Sequence, residues 1–280
     1  MVQAQKSLEK DLNAIENVHL VKLKKKWGNQ VIPTKKFSII IPALNEEHTI
    51  KKLVQDVEQG IKELVSEKDF EILVIDDGSK DLTFKNASEV RTARVFKNER
   101  NMGKGYSMRK GVKYAEGKYV AFIDADGSHS VKDLVKGFKI IEKIEKNQVS
   151  DRAFLITGVR FKNDKHGTTV LNKVGNKLYS LIALTLWKKN INDLTCGLRF
   201  AKRSDLLNMN LTSSRYTIEV EMIAESLRKK YTVIQIPINA TQRMYGSSGI
   251  RAMKEGIIIP ISFVLASLNI FSAITRKISI

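Results

Sequence analysis

The chain has 280 residues, 42% of them hydrophobic, and a mean hydropathy of -0.21, enough to bury a full core and too polar for a polytopic membrane protein. One cysteine, Cys196, excludes an intrachain disulfide framework and reads as a small packed thiol, and four prolines without a Gly/Ser tract argue against long disordered linkers. Lys and Arg number 48 against 30 Asp and Glu, a net +18 that favours anionic partners such as phosphorylated substrates, an anionic membrane face or nucleic acid. No zinc module, recognition helix or RNP-type aromatic strand accompanies that charge, so nucleic acid is not the expected partner.

Residues 1–36 read as a charged leader helix with Leu8, Leu12, Ile15 and Val18 at helical spacing and a basic cluster at Lys22–Lys26. Phe37–Pro42 is the first predicted strand. Asn45-Glu-Glu-His-Thr49 opens a helix carrying Ile50, Val54 and Val57 on one face. Phe70–Asp76 is the second strand, ending in Asp77-Gly-Ser. Arg94–Asn98 is a short third, and Gly103-Lys-Gly105 leads into a helix.

The fourth strand, Tyr119–Ile123, stops at Asp124-Ala-Asp126-Gly127. Strands alternating with helices predict an α/β fold with a twisted, mostly parallel sheet and helices on both faces, where ligands collect at the carboxyl ends of strands. Two aspartates one residue apart at such an end suit a hard divalent cation, Mg²⁺ or Mn²⁺, although Asp-x-Asp alone also reads as a solvated turn capping the next helix. A P-loop is excluded because Gly103-Lys-Gly-Tyr-Ser lacks its spacing, and a dinucleotide fingerprint because Met108 stands at its third small position. Carboxylates repel bare phosphates, so phosphate binding here runs through a metal. An acid at the second strand end, Asp76 or Asp77, can also accept the imino N–H of uracil or guanine.

The second half predicts a strand over 151–160 ending at Arg160 and a helix over Thr168–Trp187. A short segment at Cys196–Phe200 returns towards the site. A helix over Ile218–Arg228 and a strand over Thr232–Pro237 precede a basic Gly/Ser loop at Gln242–Gly249. Residues 251–280 form a hydrophobic, membrane-associating segment whose uncharged core, Gly256–Thr275, is long enough to span a bilayer, but its Pro, Ser and Asn residues suit an interfacial helix as well.

Ile39-Ile-Ile-Pro-Ala-Leu-Asn-Glu-Glu47, Val74-Ile-Asp-Asp-Gly-Ser79, Asn101-Met-Gly-Lys-Gly105 and Phe122-Ile-Asp-Ala-Asp-Gly127 follow the block order of family 2 glycosyltransferases with the Rossmann-like GT-A fold. Thr157-Gly-Val-Arg160, Asp193-Leu-Thr-Cys-Gly-Leu-Arg199, Ile218-Glu-Val-Glu221 and Arg243-Met-Tyr-Gly-Ser-Ser248 continue the match. Over residues 37–250 the chain resembles the dolichyl-phosphate mannose, glucose and N-acetylglucosamine synthase branch, including archaeal members. That resemblance implies an inverting transfer of a hexose or N-acetylhexosamine from a nucleotide-sugar, UDP-linked in preference to GDP-mannose, to dolichyl or polyprenyl phosphate. The reaction would take place at the cytoplasmic face of the cell membrane.

Carried onto this sequence, the resemblance implies that Pro42, Ala43 and Glu46 line the nucleotide and that Asp76 or Asp77 meets the base with Lys104 nearby. Asp124 and Asp126 hold the metal, and Arg160, Arg243 and Ser247 bind the acceptor phosphate. The chain departs from the family pattern at Ser128, where relatives carry a metal-contacting Gln. Thr169 stands near a missing arginine, for which Lys173 or Lys177 would substitute, and Gly249 replaces a lysine. Two further readings stand beside this one. A hydroxyl acceptor would need a carboxylate base, for which Glu219 and Glu221 are the candidates. A non-catalytic basic protein would bind RNA or membranes through its lysines.

Overall fold

The structure, a computed structural model, describes residues 33–147, 152–160, 181, 183–185, 188–239 and 241. The leader up to Ile32, most of the helix expected over 168–187 with Thr169, Lys173 and Lys177, the residues Arg243 and Ser247 expected to bind the acceptor phosphate, and the apolar segment 251–280 lie outside them.

Among the described residues seven strands and six α-helices follow one another. They are β1 (Lys35–Ala43), α1 (Ile50–Lys62), β2 (Phe70–Asp76), α2 (Thr83–Ser88), β3 (Ala93–Lys97), α3 (Lys104–Tyr114), β4 (Gly117–Phe122), α4 (Val131–Lys146), β5 (Phe154–Arg160), β6 (Arg199–Lys202), α5 (Arg203–Asn208), α6 (Ile218–Arg228) and β7 (Thr232–Ile238). The first strand begins at Lys35, so Lys35 and Lys36 belong to the sheet and not to the leader. Thr49 precedes α1 as its N-cap, which places the Asn45–Thr49 run in a turn, with Asn45 in the left-handed region at φ 54°.

The seven strands form one sheet in the order β3-β2-β1-β4-β6-β5-β7. β1 pairs in parallel with β2 and β4, β2 with β3, and β5 with β7, whereas β6 runs antiparallel to both of its neighbours. Six strands therefore point one way, as expected of a mostly parallel sheet. β6 is the correction: the expected short returning segment is a strand wedged into the sheet's middle. Because it runs backwards, the Asp193–Leu198 loop that feeds it lies at the same edge as the ends of β4 and β5.

Strands buried on both faces explain the apolar runs. In β1, Phe37, Ile39 and Ile41 pack with α1 and α4, while Ile40 faces the opposite layer with Met108 and Val112 of α3 and the apolar side of α6. α1 buries Ile50, Leu53, Val54, Val57 and Ile61, spaced as one helical stripe. In α4, Phe138 lies between Phe37 (centroids 4.1 Å) and Phe200, which meets it edge-on at 81°. Gly137 makes room for Phe200; a Cβ there would lie 2.1 Å from the ring's Cζ.

One ion pair ties β5 to the loop before β6. Arg160 donates through Nε (2.7 Å) and Nη2 (2.9 Å) to the two oxygens of Asp193, and Nη2 also reaches Thr195 Oγ1 at 2.8 Å. Asp193 is 2% exposed and accepts the backbone N–H groups of Arg160 and Thr195 as well. Burial works against its charge, but the Arg160 guanidinium outweighs it and holds the carboxyl below the usual carboxylate range. The Cys196 thiol, buried among the same groups, is pushed up to about 12 chiefly by desolvation, so the packed, inert thiol expected from sequence is what is found.

Gly137→Ala should lower the unfolding free energy by about 1–3 kcal/mol, since overlap with Phe200 outweighs the ~1 kcal/mol gained in helix propensity; urea denaturation measures it. A carboxyl depressed by folding stabilises above its unfolded value near ~3.9 and loses that contribution as pH falls towards the folded value. Asp193→Asn should therefore cost about 1–3 kcal/mol at pH 7 and flatten the stability curve below about pH 4. An unchanged acid limb in thermal melts would count against the pairing.

Candidate active site

The strand order reverses between β1 and β4, and the ends of these strands open a crevice. From the first half of the chain, Ala43 and Asp76 close β1 and β2 side by side in register. Thr49 Oγ1 donates to Ala125 O at 2.7 Å and so fastens the β1 loop to the Asp124–Asp126 turn. Glu46 is buried beside it, its backbone N–H on Thr83 Oγ1, and Pro42 is half-buried at the strand end.

The two acids after β2 have separate tasks. Asp77 does not offer itself to a base: Oδ1 accepts from Asn98 Nδ2 (2.8 Å) and Met102 N (2.9 Å), and Oδ2 from Gly103 N (2.8 Å). Its carboxylate is spent on the loop that starts α3. Asp76 accepts Ser79 N at 3.0 Å on Oδ1, while Oδ2 is buried without a hydrogen-bond partner among the described residues, with Lys97 Nζ 3.7 Å away. Of the two expected candidates, Asp76 is the one with an oxygen to give.

Asp124 lies just beyond β4. Its Oδ1 is 2.5 Å from Lys104 Nζ and its Oδ2 3.5 Å from His129 Nε2. Lys104 also holds Glu219 Oε1 at 2.6 Å, so one ammonium joins the starts of α3 and α6 to the β4 turn. Desolvation opposes both charges, yet Lys104, with help from His129, keeps the Asp124 carboxyl far below the usual range, and the two carboxylates raise the ammonium above the ordinary lysine value. Gly197 backs this contact, because a Cβ there would fall 2.2 Å from Asp124 Oδ2. Asp126 is half-buried and accepts Ser128 N at 3.0 Å through Oδ1, with Gly127 at φ 74° completing the turn.

The two candidate bases also part company. Glu221 accepts Thr212 N and Oγ1 and Ser213 N, all at 2.9 Å, and serves as a loop clamp. Glu219 turns to the site, with Oε2 buried and without a hydrogen-bond partner among the described residues. Arg160, at the end of β5, presents its guanidinium on the same edge, held by Asp193.

Sequence reasoning passed over three contributors. Arg199 is wholly buried, donating to Leu194 O (2.6 Å) and Cys196 O (2.9 Å), and so shapes the loop that carries Gly197. Burial lowers its pKa, against the nearby Glu219 carboxylate. Gly197 and Asp193 lay within a quoted motif but carried no chemical signal until the fold brought them to Asp124 and Arg160. His129 is packed one residue before the Ser130 cap of α4 and leans on Asp124.

The donor set, hard carboxylate oxygens in a partly open turn, fits Mg²⁺ or Mn²⁺. Among the described residues no group of three or more His, Cys, Asp or Glu gathers to hold a metal, so Asp124 and Asp126 are the ligands these residues offer at the turn. That is the arrangement expected where substrate phosphates and water complete the shell.

Comparison with known proteins agrees with this geometry. The family model for glycosyl transferase family 2 matches residues 38–209, more than half of the chain. A dolichyl-phosphate β-glucosyltransferase of Dictyostelium discoideum is 27% identical over 252 residues, covering 84% of this chain and 70% of the relative. One from Saccharomyces cerevisiae is 25% identical over 251 residues, covering 81% and 75%. Among solved structures, mannosyl-3-phosphoglycerate synthase from Rubrobacter xylanophilus superposes with a TM-score of 0.65 at 18% identity, covering 89% of this chain and 78% of that one. Glucosyl-3-phosphoglycerate synthase from Mycobacterium tuberculosis, in complex with Mn²⁺, UDP and phosphoglyceric acid, gives 0.58 at 18% identity, covering 85% and 78%. The fold is thus of the GT-A kind, the reading as a non-catalytic basic protein falls away, and the chain belongs to glycosyl transferase family 2.

Proposed function

We propose that the protein transfers glucose from UDP-glucose to dolichyl or another polyprenyl phosphate, with inversion, at the cytoplasmic face of a membrane. The observation that carries this reading is a charge division along one sheet edge. Acids stand at the β2 and β4 ends, where a nucleoside diphosphate and its cation belong, and the Arg160 guanidinium stands at the β5 end, where an anionic acceptor belongs. The names of the curated relatives support the lipid phosphate and glucose. The net charge of +18 and the apolar run at 256–275 support a membrane surface.

In this scheme Asp76 Oδ2 reads the base and the β1 loop with Ala43 and Glu46 lines the nucleoside. Asp126 together with Asp124 would hold Mg²⁺ or Mn²⁺, which when bound supplies Lewis acidity to the departing diphosphate. Arg160, fixed by Asp193, presents and screens the lipid phosphate, with Arg243 and Ser247 joining it from the segment after β7. A phosphate oxygen forms the new bond to the anomeric carbon as the bond to the nucleoside diphosphate breaks, and the electron pair leaves with UDP. A phosphate with its second pKa near ~6 is already an anion at neutral pH, so no protein base is required. Glu219, whose Oε2 has no hydrogen-bond partner among the described residues, favours one second reading, in which a hydroxyl acceptor is deprotonated there.

Membranes carrying the full chain, supplied with labelled UDP-glucose, UDP-N-acetylglucosamine or GDP-mannose and dolichyl phosphate, should glucosylate the lipid from UDP-glucose. EDTA or Asp126→Asn should lower that rate by about a hundredfold or more. Arg160→Lys should weaken acceptor use by about tenfold, because an ammonium cannot keep the two-point grip on Asp193. A full rate in EDTA would sink the metal role, and a product lacking the acid-labile glycosyl phosphate linkage would sink the lipid-phosphate acceptor in favour of the hydroxyl reading.

A further inference from the structure

Lys104 reaches the site on a fixed lever. Asp77 accepts the backbone N–H groups of Met102 and Gly103, and Gly103, at φ 96°, presses so closely on Ser214 O that a Cβ would overlap it. Lys104 is the next residue and the first of α3. Its side chain, 15% exposed, runs past the Tyr216 ring, 5.8 Å from Nζ to the centroid, and ends between Asp124 Oδ1 and Glu219 Oε1. The ammonium thus neutralises carboxylate charge at the turn where a divalent cation would bind, and two cations a few ångströms apart in a poorly solvated site repel. A nucleoside diphosphate changes that balance, since its oxygens can accept from Lys104 and ligate the cation together.

We propose that Lys104 is a positioning residue that keeps the cation's place in the ligand-free enzyme, so that the divalent metal binds with the nucleoside diphosphate and only weakly before it. The inference rests on the metal and donor sites of the preceding section and adds an order of binding to them. By linkage, the factor by which UDP tightens Mn²⁺ equals the factor by which Mn²⁺ tightens UDP, so the coupling is measurable from either side.

The test titrates the full chain with Mn²⁺, following the spin-resonance signal of the free ion, with and without UDP and with no sugar transfer involved. UDP should tighten Mn²⁺ on the wild type by at least about tenfold. Lys104→Met should bind Mn²⁺ alone about tenfold tighter than the wild type, with the UDP effect reduced to about twofold or less. Lys104→Arg should keep the wild-type coupling, and Glu219→Gln, which leaves the ammonium on Asp124, should not tighten Mn²⁺ in the absence of UDP. Mn²⁺ affinity in Lys104→Met no greater than in the wild type overturns the proposal while leaving the metal site intact. No Mn²⁺ binding by the wild type even with UDP overturns the metal site itself, and the proposal with it. If Lys104→Met does not fold, the wild type and Lys104→Arg decide, since absence of coupling in the wild type, or its loss in Lys104→Arg, overturns the proposal.

Discussion

An ammonium between two carboxylates, each from a different element, is the contact on which the site's geometry depends. Lys104, Asp124 and Glu219 come from the starts of α3 and α6 and the end of β4, and none could be buried alone without a severe desolvation penalty. Their mutual pairing, with His129 on the other oxygen of Asp124, makes the burial tolerable and holds the two helices at the strand edge. A second pair, Arg160 with Asp193, does the same at the β5 end. In the Arg160–Asp193 pair the same oxygens and nitrogens also contact the backbone and Thr195, which makes the pair sufficiently rigid to hold its guanidinium in place.

The reversed strand makes this edge two-sided. Were β6 parallel to its neighbours, the Asp193–Leu198 loop would enter the sheet from the opposite end, away from Asp124 and Arg160. Running backwards, it brings Gly197 against Asp124, Asp193 against Arg160 and Arg199 beneath both. Small size at Gly197 and full burial at Arg199 are two requirements of one short loop. The carbonyls of Leu194 and Cys196 accept from Nη2 and Nε of the buried guanidinium in place of water, while Nη1 has no hydrogen-bond partner among the described residues.

Much of this arrangement was legible in the residues. Apolar runs ending in acids gave strands whose ends carry ligands, because a strand buried on both faces can show polarity only where it stops. The Phe70–Asp76 strand and the Phe122–Gly127 turn follow from that rule. The helices α2 and α5 were not anticipated, and for α4 only a helix after the Asp124–Asp126 turn was expected, without bounds; Ser130, three residues before Asp133, is its start signal. The third-strand boundary shifted by one residue, as element ends do where the last side chain is half in solvent.

Sequence by itself determined the class of fold, the place of the acids at strand ends and the family's motif blocks, since these follow from local periodicity and residue chemistry. Only the tertiary structure decided between near-identical neighbours. Asp77 anchors a loop while Asp76 keeps one buried oxygen without a hydrogen-bond partner among the described residues, and Glu221 clamps residues 212–213 while Glu219 meets Lys104. Adjacent or alternate residues share composition and spacing but point to different partners, and the partners lie tens of residues away. Which carboxylate is consumed by folding and which is left for chemistry depends on those distant groups, and no local pattern carries that information.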